Sequence, residues 1–271
     1  MRRLVPSLLL MALSGPSAAQ GTGPREMALR DALLGWEAVG RVEFPDGSYC
    51  TGTLIETDVV LTAAHCLFDA ARGQAAFEPA AIRFRAGPRN DEAVAERGVA
   101  ATAVDPGFAP AAPVSPDRVR HDMALLRLDA PIPAATAAPF PVAVLPPGRS
   151  DVAVVSFAAG REAALSIERS CHVKGRAAGL YAFDCDVSFG SSGAPVFDTS
   201  ARRARIVSII SAGNPDAALP QAYGMELAAS IATLRRALAA AEGGAGIAAN
   251  TLVRGGETRA GGAKFMAPGT P

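Results

Sequence analysis

Apolar residues in this chain fall in short runs, each closed by glycine, proline, aspartate or serine, rather than in helical stripes. Thr53 to Ile55 and Val59 to Thr62 are β-branched and apolar, which predicts strands of a sheet with one buried face. From Gly35 to Val42 and again from Tyr49 to Leu61 the pattern is short strands broken by turns, with Pro45-Asp46-Gly47 a clear turn between two of them. Further runs predict strands at Ile82 to Ala86, Val99 to Val104, His121 to Leu128, Val152 to Phe157, Ala164 to Val173, Leu180 to Val187, Ala194 to Phe197 and Ile206 to Ser211. Many short strands at a spacing of roughly ten residues, with turn signals between, indicate an all-β sandwich or barrels.

One stretch breaks that pattern. Leu227, Ile231, Leu234 and Leu238 recur at helical spacing and predict a helix over Glu226 to Ala241, its apolar face docked on a core. Asp105 to Asp117 holds four prolines in thirteen residues and is expected as a loop. Pro131 to Gly148 is rich in proline and alanine, carries no charge, and reads as an extended connection between two halves.

The two ends lie outside the fold. Arg2 and Arg3, the apolar run Leu4 to Leu13 and the small residues Ser17-Ala18-Ala19 form a secretory signal over residues 1–19. The apolar run is too short to span a bilayer. Gly243 to Pro271 contains eight glycines in 29 residues and is expected to be a disordered tail.

The whole chain balances 26 basic against 26 acidic residues, and loss of the signal leaves 24 against 26. No charge excess points to nucleic acid or to a membrane surface. A secreted or periplasmic protein, no longer on the membrane once the signal is removed and monomeric, is the expectation. Export also makes Cys50, Cys66, Cys171 and Cys185 candidates for two disulfides. Three pairings are possible, the nearest-neighbour set being the simplest. No C-x-x-C spacing suggests zinc, and no other metal or cofactor is called for.

Three places carry chemistry. His65 lies in TAAHC (Thr62 to Cys66), directly after an apolar strand. Asp122 opens an apolar run, where a carboxylate must find partners to be buried. Ser192 lies in FGSSGAPVF, Phe189 to Phe197, where small residues permit a sharp turn with amide N–H groups converging beside a hydroxyl. Each alone reads equally well as a satisfied core histidine or a turn residue. Together, His, Asp and Ser in that order match one of the few chain orders in which a base, an orienting acid and a nucleophile assemble.

The surroundings resemble the chymotrypsin-like (trypsin-fold) serine endopeptidases. TAAHC matches that family's histidine motif, and HDMALLRL (His121 to Leu128) is similar to its aspartate motif. GSSGAP resembles its G-D-S-G-G-P, with Ser191 in place of Asp and Ala194 in place of the second Gly. CTGTLI, Cys50 to Ile55, resembles the strand that bears the disulfide partner of the histidine motif. Short loops and few cysteines resemble the exported bacterial branch that includes the glutamyl endopeptidases.

The resemblance implies two antiparallel six-stranded Greek-key barrels, residues 20–130 and 139–242 with a linker at 131–138, the terminal helix packing on the second barrel. It implies His65 as base, Asp122 as orienting acid, Ser192 as nucleophile, and the N–H groups of Gly190 and Ser192 as the oxyanion hole. Ser211, Ala212 and Gly213 match the edge strand that pairs with the substrate backbone. Asp186, six residues before Ser192, stands at the offset where trypsin-like members carry the acid of their primary pocket. The substrate implied is protein or peptide, with no cofactor. The alternative is a catalytically weak or inactive relative that only binds peptides or proteins.

Overall fold

A computed structural model describes residues 23–214 and 221–243. The signal at 1–19 and, beyond its first residue, the tail at 243–271 lie outside the described residues. Two closed, six-stranded antiparallel barrels and a C-terminal helix make up the chymotrypsin fold.

The chain enters through a two-residue strand β1 (Arg25–Glu26) and one turn of helix, α1 (Arg30–Leu33). The first barrel follows: β2 (Val39–Glu43), β3 (Tyr49–Glu56), β4 (Val59–Thr62), a small hairpin β5 (Phe68–Asp69) and β6 (Ala75–Ala76), β7 (Arg83–Ala86), β8 (Ala95–Val104), helix α2 (Pro116–His121) and β9 (Ala124–Leu128). It closes in the order β2-β3-β4-β9-β8-β7. The β2–β3 turn forms where expected: Asp46 Oδ1 accepts the Ser48 N–H at 2.9 Å, and Gly47 takes a φ of 81° that its missing Cβ allows.

The second barrel comprises β10 (Asp151–Ala158), β11 (Arg161–Ala177), β12 (Leu180–Phe183), β13 (Pro195–Asp198), β14 (Arg205–Asn214) and β15 (Gln221–Met225). The 17-residue β11 closes it by pairing with β10 along its first part and with β12 along its last. On its free side β11 takes β1 as an extra strand, Arg25 facing Ile167. Met27 and Leu33 of the entering segment are buried, so the lead-in to the first barrel is part of the packed body.

Four expectations need correction. The helix α3 (Ala228–Gly243) packs on β8 and β9 of the first barrel, not on the second. Ile231, Leu234 and Leu238 of its stripe, with Leu227 just before it, join the hydrophobic core that runs through the first barrel into the second, and Arg235 pairs with Glu56 of β3 at 2.7 Å. The proline-rich loop ends in α2, because Ser115 caps it by accepting the Arg118 N–H and Pro116 sits at the first turn, where its missing N–H costs nothing. The strand expected from His121 therefore starts only at Ala124. The strand expected over Leu180 to Val187 stops at Phe183, after which Asp184 turns its carboxylate to the His172 N–H. Strand β15 was not foreseen.

The connection at Pro131 to Gly148 is pinned to both barrels: Ile132 and Phe140 donate to Thr57 and Leu54, Ala143 to Ile206. Phe140 meets Trp36 and Phe197 of β13 in an aromatic cluster, with centroids 4.7 to 5.6 Å apart. Such tilted and edge-on geometries favour a fixed arrangement of the two barrels.

Candidate active site

Between the barrels the three motifs converge. His65 sits in a single 3-10 turn, Ala64–Leu67, that follows β4 and is tied to β3 by the Cys50–Cys66 disulfide. Asp122 caps the C-terminus of α2, its N–H donating to Val119. Ser192 lies in the turn before β13, and all three side chains are nearly inaccessible.

Asp122 Oδ2 lies 2.6 Å from His65 Nδ1, and His65 Nε2 lies 2.9 Å from Ser192 Oγ. A carboxylate can only accept, so Nδ1 carries the proton and Nε2 is left to accept from the serine hydroxyl. Asp122 also accepts the His65 backbone N–H at 2.8 Å and the Ser211 hydroxyl at 2.5 Å. Burial by itself would raise the aspartate's pKa. The charge and hydrogen bonds of His65, with the Ser211 hydroxyl, outweigh it and hold the carboxyl below its ordinary value.

The nucleophile turn is held by the first barrel. Thr51 of β3 donates its N–H to the Ser192 carbonyl at 2.9 Å and its hydroxyl to the Gly190 carbonyl at 2.8 Å. Gly193 has a φ of 76°, and a Cβ there would come within 2.3 Å of Thr62 Oγ1 and 2.4 Å of the Thr51 carbonyl oxygen. Gly190, with φ 93°, lies against Tyr49 in the same way. The Ser191 N–H turns to Ser188 and the Gly193 N–H to Ile210. Those two amides are thereby committed within the protein.

Ser191, where the family carries an aspartate, is fully buried. Its hydroxyl donates to the Phe157 carbonyl at 3.2 Å, accepts the Ser188 N–H and lies near the Ser156 hydroxyl. No counter-charge is required there.

The segment preceding the turn differs. Asp186 is exposed, and its N–H donates to Oε2 of the buried Glu168 at 2.8 Å. Its carboxylate faces Gly23 of the entering segment. Burial raises Glu168 to about 7, Asp186 and Asp184 adding to the rise while the Asp186 N–H opposes it. Ala212 and Gly213 lie in β14, paired with Tyr223 and Ala222 of β15.

The second disulfide joins Cys171 and Cys185, so both pairs are the nearest-neighbour ones. Cys50, His65 and Cys66, and likewise Glu168, Cys171 and Cys185, bring possible metal ligands together. In both sets the sulfurs are spent in disulfides and offer no thiolate. Thr51 and the Ser211 hydroxyl were not singled out for these roles; a threonine after a cysteine carries no local signal of a bond made across the cleft.

Two barrels with histidine and aspartate contributed by one and serine by the other define a chymotrypsin-fold serine peptidase. The family model for the trypsin-like peptidase domain matches residues 50–204, more than half the chain, and the protein belongs to that family, a serine endopeptidase by class. Among solved structures, a Glu endopeptidase in complex with MPD is similar at TM-score 0.65 and 18% identity, covering 81% of this chain and 98% of that one. The protease Anisep from Arthrobacter nicotinovorans aligns at TM-score 0.59 and 18% identity, over 75% of this chain and 96% of its own. A thermostable serine protease, AL20, from an extremophilic microorganism gives 0.60 and 18%, over 75% and 97%. At that identity the likeness concerns the fold. A search of curated protein sequences returns no match.

Proposed function

We propose that this protein is an exported endopeptidase that hydrolyses peptide bonds through an acyl-enzyme on Ser192. His65 takes the serine proton as Oγ attacks the scissile carbonyl, then gives it to the leaving amine. Asp122 holds the imidazole in the required tautomer and stabilises its charged form. The N–H groups of Gly190 and Ser192 receive the oxyanion, each such donor being worth about 3 kcal/mol of barrier. Water, activated by His65, then releases the acyl group. The edge of β14 at Ser211 to Gly213 pairs with the substrate backbone, a form of strand addition, and Asp186 favours a basic side chain at the cleaved position.

The observation that carries this reading is the relay Asp122 to His65 to Ser192, with bonds of 2.6 and 2.9 Å. Export rests on the leader at residues 1–19 and fits the two disulfides. The test is cleavage of a peptide library by the mature protein beside Ser192→Ala. Turnover that vanishes in the variant is expected. Peptide binding with no turnover in the parent would replace the reading with that of a binding module.

A further inference from the structure

Asp122 does not sit in regular backbone. Its φ of −80° and ψ of 63° are those of an inverse γ-turn, closed by the Met123 N–H donating to the His121 carbonyl at 2.8 Å. The turn bends the chain between α2 and β9, and Asp122 is its central residue. Where the carboxylate points therefore depends on how residues 121 and 123 are held.

One residue holds both. Asp105 follows β8 directly and is buried. It donates its N–H to the Met123 carbonyl at 3.0 Å, which carries the β8–β9 pairing one residue further. Its Oδ1 lies 2.8 Å from His121 Nδ1, and since a carboxylate can only accept, the imidazole donates. The same Oδ1 accepts the Gly107 N–H at 3.0 Å. Gly107 leaves the imidazole its place, for a Cβ there would come within 2.5 Å of His121 Nδ1.

We infer that Asp105 is a positioning residue for Asp122, pinning both ends of the γ-turn from which that carboxylate reaches His65. The inference rests on the proposed role of Asp122 in the relay. Asp122 accepts both the ring Nδ1 and the backbone N–H of His65, at 2.6 and 2.8 Å, so a small shift of the turn loosens both bonds together. Such a shift costs rate and leaves substrate binding nearly untouched.

Turnover of an activated ester is measured beside melting curves. Asp105→Ala removes the acceptor, and kcat falls roughly tenfold with KM little changed. Asp105→Asn keeps one oxygen for His121 and Gly107 and recovers most of that rate. His121→Ala removes the donor from the more exposed side of the same bond and lowers kcat in the same way, should Asp105→Ala fail to fold. The decisive arm repeats both alanine changes in the Asp122→Asn background. There each changes kcat by less than about twofold, because the group they position has already been lost. Equal fold-losses in the two backgrounds would overturn the inference, as would parental kcat in folded Asp105→Ala and His121→Ala. Either would reduce Asp105 to a loop anchor. An Asp122→Asn variant as active as the parent would instead overturn the reading of the relay, so the two failures are told apart.

Discussion

Asp186 stands six positions before Ser192, yet the two are built in opposite ways. Ser192 is buried, bonded to His65 and clamped by Thr51 from the other barrel. Asp186 is exposed, and its N–H donates to Glu168. Chemistry needs atoms fixed to a fraction of an ångström, and tertiary bonds supply that. A side chain that selects substrate must instead meet solvent, and Asp186 does so between the buried Cys185 and Val187.

The largest effect belongs to the clamped side. His65→Ala and Ser192→Ala each lower kcat by about 10⁴-fold or more, and the double variant loses little beyond either, because the groups act as a unit. Steady-state kinetics with matching melting curves checks this; additive losses would mean that the residues work separately.

Next comes the turn itself. Gly193→Ala forces a Cβ against the Thr51 carbonyl and Thr62 Oγ1 at a positive φ. We expect roughly a hundredfold loss of kcat/KM and a lower melting temperature. A parental rate would mean that the barrels part easily at this point.

Asp186→Ser tests the other side. Roughly tenfold lower kcat/KM for Arg or Lys at the cleaved position, with Phe unaffected, is the expected profile. An unchanged profile would remove Asp186 from the pocket and leave its carboxylate to the entering segment near Gly23.

The smallest effect is on stability. Burial raises Glu168 to about 7, above the ordinary carboxyl value, so the folded state binds the proton more tightly than the unfolded chain. Stability from that group is full below its unfolded pKa and declines as pH rises through about 7. Glu168→Gln keeps an acceptor for the Asp186 N–H but no charge. Its melting temperature should exceed the parent's by about 2–4 °C at pH 8.5 and match it near pH 4. A gain at pH 4 as large as at pH 8.5 would show that packing, not charge, is responsible.

How much could be read from the chain follows the same division. TAAHC and GSSGAP are local: the strand, the turn and the reactive residue lie within a few positions, so pattern and chemistry coincide. The start of α2 was also written locally, in Ser115-Pro116, but four prolines in thirteen residues drew the segment toward a loop. The apolar stripe of α3 was plain, whereas its destination was not, because a stripe says that a face is buried and not against what. The Thr51 bonds to Gly190 and Ser192, and the Ser211 hydroxyl on Asp122, span 139, 141 and 89 positions. Such bonds exist only once both barrels have closed.

The central claim is that Ser192, and not its neighbour Ser191, is the nucleophile. Reaction of the folded, disulfide-intact protein with a fluorophosphonate, followed by peptide mass mapping, tests it in one step. A single adduct on Ser192, lost in Ser192→Ala and in His65→Ala but retained in Ser191→Ala, is the predicted result. An adduct on Ser191, or a protein that takes no label, would contradict it.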